Sequence, residues 1–328
     1  MNLKDIYKPV QREMFAVERT IGEKISSSGN GTVVKVGGYL LRSGGKRLRP
    51  ALVTLSAGAV TAKNPASVSK KIIKAAAAIE LVHMASLIHD DVVDHSSIRH
   101  NKPTINAKWG AELALVLGDY LYAIGFDLMA SCDNSGVLEA LSQASRMMCE
   151  GELVQVAERD NLGLLKEQYI KIVKNKTANL FAASCQAGVM AAGRMSKEKG
   201  MLKDYGLNLG IAFQIADDSM DIIGTFKELG KLPGADFKMG ELTLPFLNLI
   251  SLLRDKKKIY KLLAQKDSLA AFGEIRRIFI TSGALDKTRE DVAYYADKAK
   301  NSLRGLKNSA CKTSLSALAD RMVQRIKV

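Results

Sequence analysis

Apolar residues recur along this chain at steps of three and four, the spacing that lays one apolar stripe along a helix. The pattern is strongest over residues 65–95, where Ile72, Ile73, Ala76, Ile79, Val82 and Leu87 follow one another. The same periodicity predicts helices over 1–27, 32–42, 108–131, 136–157, 166–193, 197–224, 242–253, 257–264, 268–281, 284–303 and 313–327. Ser27-Ser28-Gly29-Asn30-Gly31 ends the first of these, since small polar residues and glycine favour turns. A further helix is expected to start near Pro50, because proline is tolerated in a first turn. No stretch alternates in the manner of a half-buried strand, so the fold class read from the pattern is all-α. No linker, biased segment or short repeat divides the sequence, and one domain over residues 1–328 is expected.

Composition adds little to this picture: 47% hydrophobic and 25% charged residues are ordinary for a globular protein. The most apolar long window, 111–130, contains Glu112, Asp119 and Asp127, so no transmembrane helix is expected. The first ten residues lack the apolar run of a secretory leader. Four cysteines without a CxxC pair read as reduced thiols of a cytoplasmic protein. The net charge of +14 implies attraction to an anion: nucleic acid, a membrane surface or a phosphorylated substrate. Aromatic residues make up only 6%, and no nucleic-acid motif is present, which argues against the first. The basic excess from Arg254 to Lys266 reads as a solvated helix face.

The candidate chemistry lies in two acidic clusters of the same form, Asp90-Asp91-x-x-Asp94 and Asp217-Asp218-x-x-Asp221. Residues four apart share a helix face, so each cluster can present two carboxylates together. Carboxylates inside apolar helices are costly unless a cation neutralises them. Their hard oxygens suit Mg²⁺, which is bound by one or two carboxylates together with substrate phosphates. The clusters sit in different predicted helices and must meet through folding, as facing helices of a bundle do. Gln214 falls on the face of the second cluster, and His83 lies close to the stripe of Asp90 and Asp94. His83 reads equally as a partly buried polar residue or as a ligand contact. All four histidines fall between 83 and 100, but six-residue spacings point His89 away from His83 and His95, which argues against a His-rich transition-metal site. In Gly44-Gly45-Lys46-Arg47-Leu48-Arg49-Pro50, two glycines permit close backbone approach and three cations follow. Beside the acidic clusters this loop reads as a diphosphate site, with Arg99 and Lys176 as further cations. Metals and cations stabilise a departing diphosphate more than its ester, which lowers the barrier to its loss. A dry cavity between Ala- and Leu-rich helices would protect the resulting carbocation from water.

These residues resemble the trans-isoprenyl diphosphate synthases, in particular those making long polyprenyl chains. The matching stretches are GGKRLRP at 44–50, LIHDDVVD at 87–94, KPTIN at 102–106, GE..Q at 151–155, KTA at 176–178, FQIADDSMD at 213–221, GK at 230–231 and DF..GELTLP at 236–245. The resemblance covers residues 40–250. It implies an all-helical isoprenoid-synthase fold, one large bundle around a central cavity, usually as a homodimer. It implies head-to-tail condensation of isopentenyl diphosphate onto an allylic diphosphate. Asp90, Asp94 and Asp217 would hold Mg²⁺ on the allylic diphosphate, with Asp91, Asp218 and Asp221 supporting that shell or binding through water. Arg99, Lys176 and Lys231 would contact the allylic diphosphate. Lys46, Arg49 and His83 would bind isopentenyl diphosphate, with Gly45 allowing close approach. Thr177 and Gln214 would stabilise the developing cation. The pattern is broken where His100 and Asn101 replace an arginine and a glycine, and where Glu241 replaces a lysine. Each change removes a basic partner, although His100 could still donate a hydrogen bond, and charge at lower pH.

Ala85 and Ser86, five and four residues before Asp90, are small where short-product relatives carry an aromatic blocker. An open tunnel is therefore expected, closed deeper down by Val82, Ile79 or Phe126. The expected product is about octaprenyl, a precursor of quinone side chains, and peripheral membrane contact could help release it. The alternatives are a shorter-chain synthase and a non-catalytic regulatory subunit. A metal-histidine phosphohydrolase is rejected on the histidine distribution, and the basic loop and the second full DDxxD argue against a terpene cyclase.

Overall fold

The computed structural model describes residues 1–61, 70–194 and 197–326. The N-terminal region folds as α1 (Leu3–Tyr7), α2 (Gln11–Ser26) and α3 (Gly31–Arg42), followed by α4 (Leu48–Val60) and α5 (Lys70–Val93). After a short hairpin come α6 (Ile105–Trp109), α7 (Ala111–Ala130) and α8 (Ser135–Ala157). Next are α9 (Lys166–Val173), α10 (Asn179–Ala191) and α11 (Lys197–Ile223), then the short α12 (Phe226–Leu229) and α13 (Ala235–Met239). The C-terminal part holds α14 (Leu244–Leu252), α15 (Lys256–Leu263), α16 (Leu269–Thr281), α17 (Ala284–Ser302) and α18 (Ala310–Gln324).

The helical expectation holds, with instructive departures. The helix expected over 1–27 is interrupted by a 3₁₀ turn at Lys8–Val10, where Pro9 removes a backbone donor. Asn30 ends the break after α2 by accepting the Thr32 amide at 2.9 Å, a side-chain cap that starts α3. The helix starting near Pro50 begins at Leu48, so the proline falls in the first turn. Of the helix expected over 65–95, residues 65–69 lie outside the described residues. The helix expected over 166–193 is broken by a π turn at Lys174–Ala178.

Among the described residues the strands are confined to one hairpin, β1 (Ile98–Arg99) against β2 (Lys102–Pro103). Its two turn residues, His100 and Asn101, both have positive φ, 52° and 60°. That is the requirement of the tight two-residue turn whose twist matches paired strands, and asparagine tolerates it well.

Two apolar clusters form the core, and α4 and α10 contribute to both. Leu52, Leu55, Phe181 and Val189 join Tyr205, Phe246, Phe279 and Leu315. Val53, Ala57, Leu180 and Ala183 join Ile21, Ile79, Leu81 and Leu121. A helix serving two cores needs small residues where it crosses a neighbour. A Cβ at Gly188 on α10 would strike the carbonyl oxygen of Val53 on α4.

By length and composition α5 and α7 are both apolar enough to cross a membrane. Buried residues make up 72% of the most apolar stretch of α5, which is a central helix of the bundle, but only 39% of that of α7.

Candidate active site

The first acidic cluster lies in the last turn of α5 and just beyond it, and the second in the C-terminal half of α11. Asp90, Asp94, Asp217, Asp218 and Asp221 line one cavity of about 510 Å³. Arg49, His83, Arg99, Lys176, Thr177, Gln214 and Lys231 line it as well. Folding therefore gathers twelve of the sixteen sequence-derived candidates on one wall system, with Leu87, Tyr122, Met148 and Leu153 among the apolar residues beside them.

The carboxylates differ in what they touch. The Asp90 carboxylate has no hydrogen-bond partner among the described residues. Burial pushes its carboxyl up to about 7, with the Lys176 charge opposing. Asp94 accepts from Arg159 Nη2 at 2.7 Å. Asp217 accepts from Arg325 Nη2 at 2.6 Å. Burial opposes ionisation of Asp217, but the Arg325 charge and hydrogen bond, with Lys231 and Lys46, outweigh it and hold the carboxyl below its ordinary range. Asp218 is held at both oxygens, by Tyr169 Oη at 2.5 Å and Gln214 Nε2 at 2.8 Å. Burial nonetheless pushes it up to about 7. Asp221 accepts the Asp236 amide at 3.1 Å and lies 3.3 Å from Lys231 Nζ. Burial raises it too.

Lys176 owes its position to the π turn, a widened turn that is frequent at functional sites. Its ammonium lies 2.5 Å from Glu152 Oε2. Burial alone would lower it, but Asp90, Glu152 and Glu241 outweigh burial and keep it charged. Gly151 lets α8 pass against this turn, since a Cβ there would meet the Lys176 amide nitrogen at 2.5 Å. The neighbouring Thr177 Oγ1 donates to Gln214 Oε1 at 2.7 Å. Thr177, Gln214, Asp218 and Tyr169 thus form one hydrogen-bonded chain across three helical segments.

Arg49 packs over the Phe181 ring, 4.9 Å from its centre, and donates to His83 Nε2 at 2.7 Å. Burial, then the charges of Arg49 and Arg99, push the His83 imidazole well below its usual value, so the ring is neutral and accepts this bond. Burial lowers Arg49 to about 10.

Four candidates are placed differently from expectation. Asp91 is turned from the cavity, and its carboxylate accepts from Arg99 Nε at 2.9 Å. Its backbone oxygen accepts from Asn106 Nδ2 at 3.1 Å, so this residue anchors the hairpin. Gly45 faces its own loop, where a Cβ would lie 3.0 Å from Arg47 Nη1. Lys46 is exposed and does not line the cavity, its carbonyl accepting from Tyr7 Oη at 2.8 Å. Partial desolvation and the Arg325 charge lower its ammonium. His100 occupies the hairpin turn, where burial and the Arg99, Lys46 and Arg47 charges push its imidazole down. The expected gain of charge on His100 in mild acid is therefore opposed by its surroundings. The middle cation of the basic loop, Arg47, forms a buried ion pair with Glu80 at 3.1 Å and a partly exposed one with Glu18, and so ties the loop to the fold.

The donor set suits a hard divalent cation. Among the described residues no three His, Cys, Asp or Glu side chains are gathered closely enough to hold a metal unaided. Asp90, half-buried, raised and without a hydrogen bond to its carboxylate among the described residues, is the carboxylate most in need of such an ion.

The polyprenyl synthetase family model matches residues 31–278. The chain belongs to the polyprenyl synthetase family. Octaprenyl diphosphate synthase of Escherichia coli is 34% identical over 99% of this chain and 99% of its own length. A polyprenyl synthase from Caulobacter crescentus, solved with calcium and isoprenyl diphosphate, is 36% identical with a TM-score of 0.92, over 98% of this chain and 97% of its own. A decaprenyl diphosphate synthase from Rhodobacter capsulatus is 32% identical with a TM-score of 0.91, over 100% of both chains. The chain is a prenyltransferase with the all-helical isoprenoid-synthase fold of this family.

Sequence reasoning missed Arg159, Arg325 and Tyr169. Each reaches the acidic clusters from a remote segment, Arg325 from 108 positions beyond its partner. No local motif marks such a residue.

For the growing product, Ser86 lines the cavity but Ala85 does not. Ala85 is fully buried within the core cluster. Val82, Ile79 and Phe126 are also absent from the lining, whereas Tyr122 and Met148 are present.

Proposed function

We propose that this chain works as one domain that adds isopentenyl diphosphate head-to-tail to an allylic diphosphate such as farnesyl diphosphate. Its product is an all-trans polyprenyl diphosphate of about octaprenyl length, suited to quinone side chains. The observation that carries the reading is the gathering of both acidic clusters, Arg49, Arg99, Lys176 and Lys231 on one cavity with an apolar wall. Mg²⁺ would be held by Asp90, Asp94 and Asp217, with Asp218 and Asp221 behind them, and would neutralise the leaving diphosphate. Arg99, Lys176 and Lys231 grip the allylic diphosphate, and Arg49 and His83 bind isopentenyl diphosphate. The Thr177 and Gln214 oxygens face the developing allylic cation. The released diphosphate is the base for the final proton.

The test is product sizing. Purified protein with Mg²⁺, labelled isopentenyl diphosphate and farnesyl diphosphate is expected to yield chains longer than geranylgeranyl by chromatography. Absence of any prenyl diphosphate would overturn the reading, and products no longer than geranylgeranyl would restrict it to a short-chain synthase.

Metal binding carries a pH signature. Asp90 and Asp218 are raised to about 7, above the 3.8 of an unperturbed aspartate. The folded state therefore holds more protons than the unfolded state between these values, and these groups destabilise the metal-free fold as pH rises through that window. A divalent cation competes with those protons. Mg²⁺ is thus expected to raise the thermal midpoint more at pH 8 than at pH 5.5; equal shifts would contradict the assignment.

The apolar outer face of α7, with Leu115 43% and Val116 68% exposed, is the surface we propose for a second copy of the chain. Light scattering should give a dimer mass that Val116→Glu reduces to the monomer. A cytoplasmic setting fits the free thiols Cys132, Cys149, Cys185 and Cys311.

A further inference from the structure

Glu241 stands where the family pattern has a lysine, a change that by itself costs the site a cation. A guanidinium lies against that residue: Arg159 does not itself line the cavity, but it bonds two residues that do, Glu241 and Asp94. Arg159 lies in the turn that follows α8, and its Nε and Nη2 both donate to Glu241 Oε1, at 3.2 and 3.1 Å. Nη2 also donates to Asp94 Oδ1 at 2.7 Å, which brings the guanidinium to the edge of the first acidic cluster. Glu241 is itself fixed from its other oxygen by Gln155 Nε2. The Arg159 and Glu241 side chains are only 18% and 11% exposed. The backbone clamps the same two segments together, since the Asp160 amide donates to the Gly240 carbonyl at 2.8 Å. Arg159 Nη1 carries no hydrogen bond among the described residues.

We propose that Arg159, positioned by Glu241, is a diphosphate-binding cation of this chain and replaces the lysine expected at 241. The inference rests on the functional reading above. A charge held on Asp94 lies where metal-bound diphosphate must sit if Asp94 is a metal ligand. When Asp94 turns to a cation, Nη2 is released beside the open Nη1. The planar fork can then take two phosphate oxygens, while Nε stays on Glu241. Glu241 is a positioning residue: it orients the fork, and Arg159 offsets its negative charge near the substrate.

The test is a charge-transfer pair assayed with farnesyl diphosphate at saturating isopentenyl diphosphate and Mg²⁺. R159Q is expected to raise KM for farnesyl diphosphate by roughly ten- to a hundredfold, the effect of losing a charged hydrogen bond, with a smaller change in kcat. E241Q should move KM the same way by less. The double variant R159Q/E241K should recover most of the lost affinity, because the cation returns on the other side of the pair. A purely structural clasp would not be rescued this way. A wild-type KM in R159Q, or a double variant no better than R159Q, overturns the proposal. Circular dichroism accompanies each variant. If R159Q does not fold, R159K carries the test, with a raised KM expected and an unchanged one decisive against it. A wild-type protein that makes no prenyl diphosphate defeats the functional reading itself, whereas an active wild type with an indifferent R159Q defeats only this inference.

Discussion

Asp90→Ala is expected to lower kcat/KM by about three orders of magnitude and to leave the fold at least as stable as before at pH 8. The two halves of this result come from one feature. Asp90 is raised to about 7 by burial and its carboxylate has no hydrogen-bond partner among the described residues, so no hydrogen bond of the fold is lost with it. At pH 8 the folded state holds it ionised at a cost that the unfolded chain does not bear, and alanine removes that cost. The catalytic loss follows because a divalent cation would lose the ligand best prepared for it. Asp218→Ala makes the contrast. Its oxygens accept from Tyr169 and Gln214, so removing them strands a buried and a half-buried donor and should lower the thermal midpoint as well as the rate. Steady-state kinetics beside thermal unfolding separates the two cases. If Asp90→Ala kept more than a tenth of wild-type activity, or unfolded several degrees earlier, the division of labour among the carboxylates would be wrong.

The contrast also shows which parts of the site could be read before folding. Asp90 with Asp94, and Asp217 with Asp221, are legible because helical spacing is local: four positions make about one turn, whatever the rest of the chain does. The long helices are legible for the same reason, and both clusters fall near their helix ends as the pattern implies. What each carboxylate touches is set by tertiary structure. Nothing near Asp217 announces Arg325, and nothing near Asp94 announces Arg159. The basic loop shows the opposite error. Gly45 and Arg47 have the composition of a ligand-binding turn, but the buried Glu80 draws Arg47 inward and Gly45 makes room for it. The short helices α6, α12 and α13, of four or five residues, are too brief to display a period. The hairpin likewise has two residues per strand, below the length at which alternation can be seen. His100 looks like a lost cation and Asn101 like a lost glycine until the turn explains both as residues in the left-handed region.

Product length gives the second large effect, and here the structure moves the test by one residue. Either small residue before the first acidic cluster could face the growing chain; their positions on α5 differ by one step, about 100° around the helix axis. Ser86 lines the cavity, and its hydroxyl is tied back to the His83 carbonyl at 2.9 Å. Ala85 is 0% exposed and packs within the core cluster that α5 shares with α7. A phenylalanine at 85 must force those helices apart, at about 1–3 kcal/mol for overpacking, and its main effect should be lost stability. A phenylalanine at 86 can enter the cavity instead, between the acidic mouth and the apolar surface formed by Tyr122 and Met148. Ser86→Phe is therefore expected to shift the product from long chains to geranylgeranyl or farnesyl diphosphate, with the first condensations still fast because the diphosphate grips lie above the block. Chromatography of products from labelled isopentenyl diphosphate reads the outcome. An unchanged chain length in a folded Ser86→Phe enzyme would mean that the product passes elsewhere. Shortening by Ala85→Phe without loss of stability would mean that α5 presents its other face to the growing chain.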